Sequence, residues 1–240
     1  MMNSNRFIDV IYTHTDGEPT CIIPGGIPYP HGLDIVGKRD FIRKNYDYIR
    51  TARLREPRGH RNLLGAVLTD PVSDEAAFGV IFLHPSGTFD GCGDSTFATA
   101  AALIEMGMVP VTEPVTRFVL DTVLGPLSIE ADVAGGVVRE VRFSNVASYR
   151  VGGFEVALAD GRTLQVEVAF GGLYYGFIDA ASAGLDLEQK AEPRIVATAQ
   201  ALWESIGAES PLTDPASGKP VPLDLFTFTA RQEAGRGSAY

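Results

Sequence analysis

The chain has 240 residues, 45% of them hydrophobic and 21% charged, with 26 glycines and 15 prolines, the make-up of a protein with a real core and many turns. A formal net charge of −10 repels phosphate backbones and anionic lipids, which excludes nucleic acid and membrane surfaces as expected partners. No apolar run approaches the roughly 18 residues of a membrane span, no secretory pattern opens the chain, and 2 cysteines cannot build a disulfide framework, so a reducing, cytoplasmic setting is expected.

Phe7 to Ile23 alternates apolar and polar residues around Thr15-Asp16-Gly17-Glu18-Pro19, which predicts a strand, a tight turn and a second strand. Arg39 to Arg55 carries Phe41, Ile42, Tyr46, Ile49 and Leu54 near helical spacing and predicts a helix ending at Glu56-Pro57. Asn62 to Leu68 and Ala77 to Leu83 read as buried strands, followed by a turn at Pro85-Ser86-Gly87. From Ser95 to Met108 the chain is rich in alanine and apolar almost all round, which predicts a helix buried on most sides and stopped by Gly107 and Pro110.

Five short strands are expected next, over Arg117–Thr122, Gly125–Asp132, Val137–Ser144, Tyr149–Leu158 and Thr163–Ala169, separated by glycine-bearing turns at the spacing of an antiparallel sheet. Leu173 to Ile178 adds another. Glu192 to Ile206 predicts a second helix, with Pro193 tolerated in its first turn and Gly207 closing it. A last strand fits Leu223 to Thr229, before the polar tail Arg231 to Tyr240. Pro110 to Pro114 marks the expected boundary between a first domain, 1–112, and a strand-rich second, 113–240.

The sharpest chemical feature is Phe89-Asp90-Gly91-Cys92-Gly93-Asp94-Ser95-Thr96, a glycine-flanked cysteine at the start of the buried helix. Free N–H groups and the positive end of the helix dipole favour anions there, so a thiol is expected to ionise more easily and to serve as base or nucleophile. Gly91 and Gly93 would let a small ligand approach the backbone. The same glycines imitate part of a dinucleotide fingerprint, but no alternation of parallel strands and helices surrounds them. His14, His31, His60 and His84 lack metal-ligand spacing, and no Gly-x-Ser-x-Gly elbow exists. Cys21 reads as a small core hydrophobe. Asp16 and Glu18 beside His14, and Glu56-Pro57-Arg58-Gly59-His60, read as turn chemistry or as the wall of a cleft near Cys92. Phe170-Gly171-Gly172-Leu173-Tyr174-Tyr175-Gly176 reads as a bulged strand or as a wall of bare backbone at Gly171 and Gly172.

Taken together, His14-Thr15-Asp16-Gly17-Glu18-Pro19-Thr20, Gly25-Gly26-Ile27-Pro28, Glu56-Pro57-Arg58-Gly59-His60, Cys92-Gly93, Gly125-Pro126, Asn145-Val146 and Ala169-Phe170-Gly171-Gly172-Leu173-Tyr174 resemble the proline racemase family. That family includes hydroxyproline epimerases and trans-3-hydroxyproline dehydratases. The likeness runs in order from about Phe7 to about Thr229. It implies an α+β, diaminopimelate-epimerase-like fold, two lobes of antiparallel strands each wrapped around a central helix. It also implies a cofactor-independent racemase or epimerase of proline or hydroxyproline, in which two cysteines face opposite sides of the substrate's α-carbon. One thiolate removes the α-proton and the other thiol returns one.

On this resemblance Cys92 is one acid/base, and Gly93, Asp94 and Ser95 bind the substrate's carboxylate and amine, with no metal. His14, Asp16, Glu18, His60, Gly171 and Gly172 are cleft-wall candidates. The expected partner is a small imino acid, and a homodimer is left open. The family's usual Met-Cys-Gly-His is Gly91-Cys92-Gly93-Asp94 here. Asp94 would accept a charged hydrogen bond from a ring ammonium and would push the thiol pKa up, or Asp94 or Ser95 would cap the helix. The family's other catalytic segment, Asp-Arg-Ser-Pro-Cys-Gly-Thr-Gly, is expected beyond Tyr240, so the resemblance implies a truncated member with an incomplete second lobe. The alternatives are a dehydratase that keeps Cys92 as base and expels a 3-hydroxyl, and an inactive fragment that binds small carboxylates.

Overall fold

The computed structural model describes residues 7–28, 34–207 and 210–230. They fall into two compact units that divide between Asn145 and Val146. Each is an antiparallel-rich sheet with its own helices, so the chain is α+β, as the sequence predicts.

The first unit opens with a hairpin, β1 (Ile11–Thr15) and β2 (Glu18–Ile23). Its two-residue turn is Asp16-Gly17, both with positive φ (47° and 97°), the left-handed pair that matches the twist of a tight hairpin. Helices α1 (Ile35–Asn45) and α2 (Asp47–Leu54) follow, then β3 (Leu64–Thr69), β4 (Ala76–His84), the short β5 (Gly87–Phe89) and helix α3 (Gly93–Glu105). Strands β6 (Val115–Thr122), β7 (Gly125–Ala134) and β8 (Val137–Phe143) complete the sheet. Its order is β1-β2-β3-β4-β6-β7-β8, with β5 paired to β4 and parallel pairing at β2–β3 and β4–β6. Helix α3 packs against β1, β2 and β3 on one side and β7 and β8 on the other. Because it touches both edge strands, the sheet rolls around it.

Period-two alternation explains the doubly buried middle strands. Ile22, Leu68, Val80 and Phe82 point to α3 and meet Ala100, Leu103 and Ile104. Their sequence neighbours Cys21, Ile23, Val67, Ile81 and Leu83 point the other way, onto Ile42, Ile49 and Leu54 of α1 and α2. Cys21 is thus the core hydrophobe the sequence indicates, fully buried. In β7 only one face is covered: Leu127, Ile129, Ala131 and Val133 are buried while Ser128 between them is exposed.

The expected helix over Arg39–Arg55 is two helices. Asp34 starts α1 early, its Oδ1 accepting from the Gly37 N–H at 2.7 Å. Tyr46 then leaves helical geometry (φ −133°, ψ 22°), while its N–H closes α1 on the Ile42 carbonyl at 2.8 Å. Asp47 opens α2, held by Arg50 at 2.7 and 2.8 Å, a favourable charge at a helix N-terminus. The strand β5 lies where only a turn is expected, because Gly87 pairs back onto His84. The expected division at 112/113 also differs from the observed one. Pairing of β6 beside β4, with Ala76 opposite Val119, draws the strands after Pro114 into the first sheet.

The second unit contains β9 (Tyr149–Ala157), β10 (Thr163–Phe170), β11 (Tyr174–Asp179), helix α4 (Glu192–Ile206) and β12 (Leu225–Thr229), with sheet order β12-β11-β10-β9. Leu202, Ala199 and Trp203 of α4 cover Val156, Val166, Val168, Ile178 and Phe228. Pro193 sits in the first turn of α4 and Gly207, at φ 79°, ends it, as expected. No helix among the described residues is long and apolar enough to cross a membrane. The tail Arg231–Tyr240 lies outside the described residues.

Candidate active site

Three residues, Asp90 to Cys92, lead from β5 into α3. Cys92 has extended backbone (φ −152°, ψ 114°) and is itself the N-cap residue, with no side-chain cap bond. Its carbonyl accepts from the Thr96 N–H at 3.0 Å and the Thr96 hydroxyl at 2.7 Å, fixing the first turn. Asp94 and Ser95 therefore lie inside the first turn and do not cap it, because the helix starts two residues earlier than its alanine-rich pattern. Ser95 is fully buried, its Oγ 3.3 Å from Thr20 Oγ1, and the Thr15 hydroxyl donates to the Asp94 carbonyl at 2.9 Å. These contacts tie the β1–β2 hairpin to the start of α3.

The Ser95 hydroxyl and the Ser95 and Asp94 N–H groups at the first turn of α3 act on the Cys92 sulfur, short of a side-chain cap bond. Those donors favour a thiolate. Burial outweighs them and, with the Asp94 carboxylate adding to it, holds the thiol above its ordinary pKa. The expected easy ionisation is thus corrected: the resting group is a thiol, because it is withdrawn from water and faces a like charge.

Glu18 and His60 come to this place as well. Glu18 is pushed up by burial and then by the Asp94 carboxylate, while His60 opposes the rise. His60 also accepts from the Asn62 N–H through Nδ1 at 3.2 Å. His14 turns elsewhere. Its Nδ1 accepts from the Gly17 N–H at 3.3 Å, and it lines a groove of about 360 Å³ with Phe97, Ala98 and Ala101 whose walls include neither Cys92 nor Asp94. Asp16 occupies the left-handed hairpin turn.

The two glycines beside Cys92 differ. A Cβ on Gly93 would meet nothing within 4 Å, so its backbone is open to a ligand. A Cβ on Gly91 would collide with Leu124 Cδ1, so that glycine makes room for a neighbouring leucine and not for a ligand. In the second unit Gly171 and Gly172 form the β10–β11 connection. The Gly171 N–H bonds the Leu173 carbonyl at 3.1 Å, Gly172 has φ 104°, and the Phe170 and Tyr174 rings flank them 4.9 Å apart. Among the described residues no group of three or more His, Cys, Asp or Glu side chains is placed to hold a metal ion. His31 lies outside the described residues.

Sequence reasoning missed the residues that hold the approach to Cys92. Arg39 of α1 forms an ion pair with Asp90. Arg50 and Arg55 both donate to the Pro85 carbonyl, Arg55 at 2.8 Å, and the His84 ring stacks on Phe89 at 4.1 Å. These partners are separated by long stretches of chain, and no local pattern signals them.

A rolled sheet around one helix, with a thiol at that helix's first N–H groups and bare backbone beside it, is the equipment of a cysteine-type acid/base or nucleophilic centre. The chain belongs to the proline racemase family, whose profile matches residues 10–239. It is 35% identical over 225 residues to a proline racemase of Clostridioides difficile, covering 93% of this chain and 67% of that protein. It is 32% identical over 213 residues to a trans-3-hydroxy-L-proline dehydratase of Colwellia psychrerythraea, covering 88% and 60%. Among solved structures, a probable proline racemase from Agrobacterium radiobacter with bound carbonate superposes with a TM-score of 0.82 at 22% identity, covering 92% of this chain and 66% of that one. The chain thus spans 67% or less of the length of these relatives.

Proposed function

We propose that the chain acts on proline-like imino acids, proline or hydroxyproline, as a cofactor-independent racemase or epimerase in which Cys92 is one acid/base. The observation that carries this reading is Cys92 standing as the cap residue of α3, at the helix's first N–H groups and next to the open backbone of Gly93. Family membership supports it, and so does a helix enclosed by a rolled sheet, which we read as one lobe of a diaminopimelate-epimerase-like fold.

In the proposed step the Cys92 thiolate takes the α-proton. The C–H bond breaks, an S–H bond forms, and the electron pair spreads into the substrate carboxylate as an enolate. Gly93, Asp94 and Ser95 hold the substrate's carboxylate and amine, and N–H groups at a helix start stabilise the charge that develops. Asp94 receives the ring ammonium, and Glu18 and His60 wall the site. Reversal returns a proton to the α-carbon. Cys21 is fully buried beneath α1 and α2, so it does not serve as the opposite-face group. Cys92 serves one face of the α-carbon, and inversion needs a second acid on the other, which Cys21 does not supply. The proposed setting is the cytoplasm.

The likeness to a dehydratase favours a second reading, in which the same base removes the α-proton and a 3-hydroxyl leaves as water. Incubation with L-proline, trans-4-hydroxy-L-proline and trans-3-hydroxy-L-proline, with products separated by chiral chromatography, tests both. Inverted isomers, or α-deuteration in heavy water, support the racemase reading. Loss of water from the 3-hydroxy substrate alone supports the dehydratase. Saturable binding of pyrrole-2-carboxylate with no turnover of any substrate overturns both in favour of a binding protein.

A further inference from the structure

The connection Asp90–Gly91–Cys92 is short, contains a glycine, and leads to a cap residue with no side-chain cap bond. Its approach is well fixed. Strand β5 is laddered onto β4, Phe89 opposite Phe82, and the preceding turn is clamped by Arg50 and Arg55. Beyond Phe89 the ladder ends, and among the described residues the ion pair of Asp90 with Arg39 is the only one this connection makes. Arg39 is suited to that task. It sits in the middle of α1, a helix that packs on β4 and β5, and its side chain is only 16% exposed. Its Nε is already held by Asp40 at 3.1 Å, so the guanidinium is oriented before it meets Asp90. A planar fork bound on two sides restricts its partner more than a flexible ammonium does.

We propose that Arg39 is a positioning residue for Cys92: through Asp90 it holds the connection so that the thiol stays in its place at the first turn of α3, beside Gly93 and Asp94. This rests on the proposed role of Cys92. Without the pair, Asp90 and Gly91 lose their anchor while the Cys92 carbonyl stays bonded to Thr96, so the sulfur shifts toward solvent without leaving the helix start. The thiol then becomes easier to reach for a reagent and worse placed for a substrate proton.

Two readouts separate this from general damage. The first is the rate of Cys92 alkylation by iodoacetamide, read by mass spectrometry of the Cys92 peptide apart from buried Cys21. The second is α-proton exchange on proline or hydroxyproline in heavy water, resolved into kcat and KM. Arg39→Met is expected to speed alkylation about threefold and to lower kcat about tenfold with little change in KM, the scale for a group displaced by a fraction of an ångström to one ångström. Asp90→Ala should do the same, the double variant should add nothing further, and Arg39→Lys should restore part of both. Should Arg39→Met fail to fold, half-exposed Asp90 carries the test. Alkylation and kcat both unchanged in a folded Asp90→Ala, or both lowered together, would overturn the assignment. Wild-type protein that exchanges no imino acid, while alkylation still responds to Arg39 and Asp90 as expected, supports Arg39 as the holder of Cys92 and refutes the proposed reaction instead.

Discussion

Two glycines in the two main motifs make opposite demands, and replacing each by alanine tests the packing directly. Gly59, in Glu56-Pro57-Arg58-Gly59-His60, lies against the end of α2, its N–H bonded to the Arg55 carbonyl at 2.9 Å. A Cβ there would collide with the Leu54 carbonyl group and lie 2.7 Å from the Arg53 oxygen. Non-bonded heavy atoms rest at about 3.5 Å, so the chain must yield by roughly 1 Å. The obstacle is backbone, which no rotamer change relieves, and Leu54 is fully buried in the core. Overpacking of this kind costs about 1–3 kcal/mol, and the rigid obstacle places Gly59→Ala near the upper end, about 3 kcal/mol. At roughly 2–4 °C per kcal/mol for a chain of this size, its melting temperature should fall by about 6–12 °C. Gly93→Ala is the control. It stands in the first turn of α3 with nothing within 4 Å, and alanine in a helix gains roughly 0.5–1 kcal/mol over glycine. It should melt at or slightly above wild type while losing turnover, because the new methyl fills the space beside Cys92. Far-UV circular dichroism melts of the three proteins decide it. Gly59→Ala within about 2 °C of wild type, or Gly93→Ala destabilised as much as Gly59→Ala, would refute the packing argument.

Asp94→Asn removes a negative charge that holds the Cys92 thiol up, so Cys92 alkylation should move to lower pH; a profile that stays put or moves up would contradict the electrostatics. In the second unit Asp214 is held down to about 2 by the Ser217 and Tyr149 hydroxyls and by the Ser217 and Ala216 N–H groups. Its folded pKa lies below its unfolded value of roughly 3.9, so its contribution is complete above that value and is lost as pH falls toward 2. Asp214→Asn should therefore flatten acid unfolding over that interval, and an unchanged slope would count against the assignment.

Much of the fold is legible where the signal is local. Alternation in β7, the alanine-rich surface of α3, and the Pro193 and Gly207 boundaries of α4 each follow from neighbours within a few residues. What escaped is non-local or conformational. The break at Tyr46 depends on one residue leaving helical geometry inside a continuous amphipathic pattern. The extent of the first unit depends on β6 pairing beside β4, a parallel contact across α3 that no local run of residues announces. The same holds at the site. Cys92, Gly93, Asp94 and Ser95 stand out in the sequence, with Glu18 and His60 as candidate cleft walls. Arg39 was invisible because its meaning lies in Asp90, 51 residues away. The sequence shows the helix-start N–H groups and the Asp94 charge beside Cys92 but not the burial that dominates its ionisation.

The central claim, that the Cys92 thiolate removes the α-proton, is tested most directly by NMR of α-deuteration in heavy water with wild-type protein and Cys92→Ala, from neutral to alkaline pH. The account predicts exchange in the wild type that rises with pH through and beyond the ordinary thiol range of about 8.5, because the resting group is a protonated thiol held up by burial, and none in Cys92→Ala. Exchange that persists in Cys92→Ala, or a wild-type rate that is already flat at neutral pH, would contradict it.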